Sequence, residues 1–506
     1  MCAVESVSRR ALLGGALALG LAGPVRPARA RVGDDLLLQV AAPDGTYRSQ
    51  VYNGTPASHR FAGIRYGRAA RFGRPVPARA AEQMPDAAFG PACPQRGDRY
   101  QPQSEDCLFL NVWTPAPRAD AGRPVMVYFH GGAYSTGSVT DTINDGARLA
   151  ARGDVVVVTV NHRLNALGYL YLARLDPRFS DSGNAGQLDL IVALQWIQRN
   201  IAAFGGDPGN VTLFGQSGGG AKIATLMAMS EAKGLFHKAI TMSGQQVTAS
   251  GPLNATRRAE AFLARLGPGV DPATAPVEQL IAALAATDPI LGGGVYMGPV
   301  LDMVHLKRHP FWPGAAPQSL DIPMMLGNAV METRAFYAPD SKQLAGLDFG
   351  NLAARIAPEM RVDIHPEWVA QRFRIRYPDA PPLELFHRIV TAARSWRGQV
   401  EEAEARARAG VPAFVYQLDF EAAKHTDDIG LSFGTILDPT PAQQAMSDVV
   451  MDAFVRFART GNPGWPAYDL LKRQTMIFDT ESRVESDPRR WERELFARVP
   501  YIQPGT

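Results

Sequence analysis

Cysteine is scarce in this sequence: Cys2, Cys93 and Cys107 are the three among 506 residues. That count excludes a disulfide-framed scaffold and a multi-cysteine zinc module. No H-E-x-x-H helix and no Walker-type phosphate loop occurs, and "HGGAY" has no second histidine at ligand spacing. No metal and no organic cofactor is therefore expected. An excess of one charge is missing as well, since 52 Lys and Arg face 49 Asp and Glu. The small surplus sits at the N terminus, where Arg9, Arg10, Arg26 and Arg29 outnumber Glu5. The remainder is near neutral and has no basic stripe interleaved with aromatics, which argues against a nucleic-acid partner. Internal repeats and low-complexity linkers are absent too. The N-terminal apolar run is too short to span a bilayer comfortably, so no integral membrane partner is expected.

What is present begins with a targeting pattern. "SVSRRALLGGALALGLAG" sets Arg9 and Arg10 before an apolar stretch, and Ala28-x-Ala30 comes after it as a small-residue cleavage site. The expectation is an export signal over residues 1–30, of the twin-arginine type, and a periplasmic or extracellular bacterial protein. A short membrane anchor is the alternative. Cys2 precedes the apolar run, so it is not placed as a lipoprotein cysteine and would leave with the leader. Cys93 and Cys107 remain, and an even count in an oxidising compartment implies one disulfide closing a short loop. Such a crosslink is worth about 3 kcal/mol before strain; two buried thiols are the alternative reading.

Residues 31–506 are expected to form one catalytic domain. "CLFLNVWTP", "RPVMVYFHGG", "DVVVVTVNHR", "HKAITMSG", "DIPMMLGN" and "AFVYQLDF" supply short apolar runs. Runs without polar alternation suit strands buried on both faces of a parallel sheet. Between them, "LDLIVALQWIQRNIAAFGG" puts Leu190, Leu194 and Ile197 near one helical face. Strands alternating with helices predict an α/β fold with a large, mostly parallel central sheet. Residues 334–410 are richer in charge and helical patterns, and read as an inserted helical region over the active site. There Glu402-Arg406 and Glu404-Arg408 stand at i,i+4, on what reads as a solvated face stopped by Gly410.

The chemistry centres on "VTLFGQSGGG", a G-x-S-x-G pattern around Ser217. The pentapeptide alone is weak; a strand before it and a helix after it make it a nucleophile turn. Glycine neighbours relieve the crowding of such a bend. "YFHGGAYSTGS" gives a second loop after a strand, and the amides of Gly131, Gly132 and Gly218 are expected to form an oxyanion hole. His130 reads as a loop-orienting residue, because this fold places its catalytic histidine last. His425 comes after the strand "AFVYQLDF", where the base belongs, and Glu332 lies beyond "DIPMMLG" by a short loop. Asp302, Asp427 and Asp428 compete with Glu332 for the orienting carboxylate. The order Ser217, Glu332, His425 matches nucleophile, acid and base in the α/β-hydrolase fold.

Several segments together resemble the type-B carboxylesterase family, which includes cholinesterases and bacterial para-nitrobenzyl esterases. They are "EDCLFLNVWTP", "FGGDPGNVTLFGQSGGG", "LGNAVMET", "AAKHTDDIGLSFG" and "FVRFARTGNPGWPAY". The resemblance implies a Ser217-Glu332-His425 triad, an oxyanion hole of three glycine or alanine amides, and a disulfide between Cys93 and Cys107. It implies a small-molecule ester substrate and an acyl-enzyme route, with an amidase or carbamate hydrolase as alternative and a non-enzymatic binding protein as a weaker one. Departures are Gln216 where many members have Glu, Gly218 where many have Ala, and Leu190 where Gln is common. Oligomeric state, monomer or dimer, is left open.

Overall fold

A computed structural model describes residues 38–52, 58–503 and 505; the expected leader, residues 1–30, lies outside them. The described residues form an eleven-stranded sheet flanked by helices. In chain order its strands are β1 (Gln50–Tyr52), β2 (Ser58–Arg65), β3 (Phe109–Thr114), β4 (Arg123–Phe129), β5 (Val156–Val160) and β6 (Gly206–Gln216). They continue with β7 (Lys238–Met242), β8 (Met324–Ala329), β9 (Ala413–Leu418), β10 (Gln474–Phe478) and β11 (Arg483–Ser486). The spatial order is β11-β10-β9-β8-β7-β6-β4-β5-β3-β2-β1. Pairing is parallel from β10 through to β5 and antiparallel at both flanks. The sequence accounts for this centre: every residue of β5, β8 and β9 is buried, so these unalternating apolar runs are covered on both faces. Helix α1 (Ala185–Asn200) lays fully buried Leu190, Leu194 and Ile197 on the sheet, as their spacing predicts.

The expected helical insertion is present. It contains α3 (Pro366–Arg376), α4 (Pro382–Thr391), a π-turn at Ala392–Trp396, and α5 (Arg397–Arg408), and much of it packs around its own apolar cluster with Leu495 and Phe496. Its charge pattern is only half as expected. Glu404 and Arg408 pair on the outside. Glu402 and Arg406 are fully buried and do not pair: Glu402 accepts from the Gln246 amide at 2.7 Å, and Arg406 turns onto the carbonyls of Ser319 and Ile322. The face carrying them packs against β8 and β9, so it is not solvated.

A second correction concerns Cys93 and Cys107. Both are free, buried thiols in contact, and no disulfide joins them. The contact with Cys93, and after it burial, pushes the Cys107 thiol far above its ordinary value, and Cys93 Sγ accepts from the Leu164 amide at 3.2 Å. The loop between them closes without covalent help: Ala92 bonds Pro102 and Ser104 through its amide and carbonyl, and the Gln95 amide bonds Gln103. Parity of the count describes pairing options, not geometry, and here the sulfurs serve as small core hydrophobes.

Candidate active site

Strand register assembles the site. Gln216 ends β6 opposite Met242 of β7, and Met242 lies opposite Gly327 of β8. Ala329, which ends β8, lies opposite Leu418 of β9. The loops leaving these strands therefore meet at the carboxyl edge of the parallel sheet, where open α/β sheets carry ligands. Those loops carry Ser217, Ser243, Glu332 and His425.

Ser217 sits between β6 and α2 (Gly218–Leu226) at φ 55°, ψ −122°, a conformation that costs about 1–3 kcal/mol for a residue with a side chain. The fold holds it there through a 2.7 Å bond from its amide to the Met242 carbonyl. Glycine at 218 and 219 is needed for room: a Cβ at Gly219 would stand 1.9 Å from the Phe129 oxygen, and one at Gly218 1.9 Å from the Ala133 oxygen. Ser217 thus caps the helix with the loop after β4 pressed against it.

Glu332 and His425 meet behind it. His425 Nδ1 lies 2.5 Å from Glu332 Oε2, and the His425 amide bonds the Glu332 carbonyl at 3.2 Å. The other carboxylate oxygen accepts from Ser243 Oγ at 2.6 Å, the Ala329 amide at 2.7 Å and Asn328 Nδ2 at 3.0 Å. Burial alone would raise the Glu332 carboxyl; the His425 ring and these donors outweigh it and hold it below the ordinary 4.5. The competing acids are elsewhere. Asp302 is consumed by the Val304, His305 and Leu306 amides and by Asn184. Asp427 accepts from the Lys424 amide. Asp428 is bonded to the Tyr416 hydroxyl, and burial with the nearby Glu332 charge raises its carboxyl to about 7. Most other late histidines are engaged: His237 with the Val211 amide, His305 with Asp181 and Glu231, His309 with the Ala249 amide, and His387 with Thr333.

Ser217, Gly218 and His425 open onto one cavity, and Ala133 lies on its wall beside them. Gly131 and Gly132 line the neighbouring cavity, with Gly131 still packed against the Ser217 turn. The amides of Ala133 and Gly218 meet no acceptor among the described residues. Ala133 is held at φ 54°, and an alanine in "HGGAY" carries no sequence signal of its own. Ser243 carries none either. Behind the loop, the His130 ring stacks on His162 with centroids 4.7 Å apart, and its Nδ1 lies 2.9 Å from the Gly131 carbonyl. Burial, then the Lys222 charge, presses His130 down to about 3, so this ring stays neutral. No group of three or more His, Cys, Asp or Glu that could hold a metal occurs among the described residues. No helix among them is long and apolar enough to cross a membrane.

Comparison with known proteins identifies the family. The model of the carboxylesterase family matches residues 38–494. Para-nitrobenzyl esterase of Bacillus subtilis is 33% identical over 489 residues, spanning 88% of this chain and 95% of that protein. Carboxylesterase 4A of Bos taurus is 30% identical over 522 residues, spanning 87% of this chain and 91% of that one. Among solved structures, a Geobacillus stearothermophilus carboxylesterase superposes with TM-score 0.80 at 32% identity, covering 90% of this chain and 99% of its own. With the sheet order, the serine turn and the family match in agreement, the chain belongs to the carboxylesterase family and is a carboxylic ester hydrolase of the α/β-hydrolase fold.

Proposed function

We propose that Ser217 is the nucleophile, His425 the general base and Glu332 the carboxylate that orients it. The observation that carries this is the 2.5 Å contact between His425 Nδ1 and Glu332 Oε2, in a loop pair opening onto the Ser217 cavity. With Nδ1 committed, Nε2 is the nitrogen left to take the Ser217 proton. The serine oxygen attacks the ester carbonyl, and the amides of Ala133 and Gly218, with that of Gly132 beside Ala133 on the same loop, stabilise the oxyanion; Ala133, on the cavity wall, takes the part expected of Gly131. His425 returns the proton to the departing alcohol. A water deprotonated by His425 then cleaves the acyl-serine, releasing the acid.

An organophosphonate should add one covalent mass to the Ser217 peptide and abolish turnover of phenyl butyrate. Modification elsewhere, with Ser217 free, would contradict the assignment. We also propose export, on the strength of the Arg9-Arg10 leader and the Ala28-x-Ala30 site. Amino-terminal sequencing of protein from its native host should find a start near Arg31.

A further inference from the structure

The wall of the Ser217 cavity mixes aromatic rings with many hydrogen-bonding groups. Among the described residues no aliphatic side chain larger than alanine lines it; Gln245, Gln246, Gln503, Ser395, Tyr296 and Tyr501 do. One fixed charge stands on that wall, Arg394, and no carboxylate faces it there. Arg394 and Ser395 both come from the Ala392–Trp396 π-turn, an irregularity of the kind helices show at functional positions.

The Arg394 guanidinium is incompletely used. Its Nη1 lies 3.3 Å from Glu359 and 3.4 Å from the Tyr337 hydroxyl, while Nε and Nη2 meet no acceptor among the described residues. Glu359 does not neutralise the corner, because Arg361 lies close enough to Arg394 for their charges to repel. Two guanidiniums therefore share one carboxylate. Nearby, the buried Nε2 of Gln245 has no acceptor either. The guanidinium also sits near the reacting atoms: its Cζ is 5.4 Å from the Phe336 ring, whose centroid is 4.7 Å from that of His425. One aromatic ring separates the charge from the base.

From this juxtaposition we infer that the enzyme's substrates are esters bearing a second, anionic group, a carboxylate, which Arg394 binds while the ester carbonyl reaches Ser217. The inference rests on the Ser217 reading and names the substrate class of that site. Arg394 is a specificity residue; the bond-making remains with Ser217 and His425. A carboxylate accepting from Nε and Nη2 gains paired, charge-assisted bonds that a neutral ester cannot make. The carboxylate belongs either to the acyl part, as in a dicarboxylic acid monoester, or to the alcohol part.

Two matched pairs separate these sources: monoethyl against diethyl adipate, and 4-carboxyphenyl against phenyl butyrate, each monitored by pH-stat titration at neutral pH. The wild-type enzyme should favour the anionic member of at least one pair by about tenfold or more in kcat/KM, chiefly through KM. The pair that responds identifies the side carrying the charge. Arg394→Gln should bring that ratio towards one, and Arg394→Lys should restore part of it. A smaller preference in both pairs overturns the inference, as does an Arg394→Gln loss shared equally by charged and neutral esters. The wild-type comparison decides even if the variants fold poorly. Failure of the Ser217 reading is recognised separately: Ser217→Ala would then still hydrolyse phenyl butyrate.

Discussion

Lys222 Nζ donates to the carbonyl oxygen of Ala133 at 3.1 Å. A second 3.1 Å bond reaches the His130 carbonyl, so one buried side chain on α2 ties the helix behind Ser217 to the loop opposite it. Among the described residues no carboxylate compensates the amine. Burial lowers it to about 7, far beneath the ordinary 10.5, and the face of Tyr134 lies 5.5 Å away. A group this costly to bury is explained by what it holds: two loop carbonyls, on either side of the Gly131-Gly132 pair, that fix the loop carrying the Ala133 amide.

Lys222→Met should therefore lower kcat by about tenfold with little change in KM, the scale of a disturbed oxyanion donor. Stability should hold or rise, because an uncompensated buried amine is removed. Steady-state kinetics beside thermal unfolding tests this. A matched fall in Tm and activity would point to general damage instead.

Glu332→Gln should keep the fold and cut kcat by about 10³ to 10⁴, the scale of a mis-set imidazole tautomer. Asp428→Asn should cost far less, since Asp428 faces Tyr416 and not the imidazole. Near-normal turnover by a folded Glu332→Gln protein would move the acid to another loop.

Ser243 gives an intermediate case. Its hydroxyl is one of three donors to Glu332 Oε1. Ser243→Ala should reduce kcat by about three- to tenfold, the size of one hydrogen bond to a charged group less what the remaining donors retain. Ser243→Thr, which keeps the hydroxyl, should recover part. A larger loss than for Glu332→Gln would refute this ranking.

The pH dependence of stability should carry the mark of Glu402. Burial raises its carboxyl from 4.5 to about 8, against the opposing pull of the Gln246 amide. Between those values the folded chain keeps a proton that the unfolded chain has shed. Stability from this group is full below pH 4.5 and is lost as pH rises towards about 8. Glu402→Gln, a mimic of the protonated form, should flatten that decline and raise Tm relative to wild type at pH 8 and above. Parallel Tm curves for the two proteins across the window would count against it.

The parts of this site legible in sequence were those with local grammar. A short apolar strand, a glycine-flanked serine and a helix pointed to Ser217; chain order after buried strands pointed to Glu332 and His425, and the family resemblance chose them over their competitors. Ala133 and Ser243 carry no such grammar: an alanine amide and a serine beyond a strand become notable only when register sets them beside Gly218 and Glu332. Helical spacing misled at Glu402 and Arg406 because an i,i+4 pattern says which residues are neighbours and not which face is covered. The disulfide expectation, drawn from a count of two and from the family resemblance, failed because neither says what each sulfur touches in this chain. The π-turn that offers Arg394 to the cavity has no signature in sequence at all.

The tight approach of Gly218 to Ala133 constrains redesign. An alanine at 218 would need the facing loop to stand further back, whereas Lys222 holds that loop in place through the Ala133 carbonyl. Neither substitution is neutral by itself: alanine at 218 collides while Lys222 remains, and loss of Lys222 leaves a gap while glycine remains. The two positions should thus be changed together. Anyone grafting the nucleophile segment from a relative into this chain should transplant the turn, the first helical turns and the facing loop together, or expect a folded but idle enzyme.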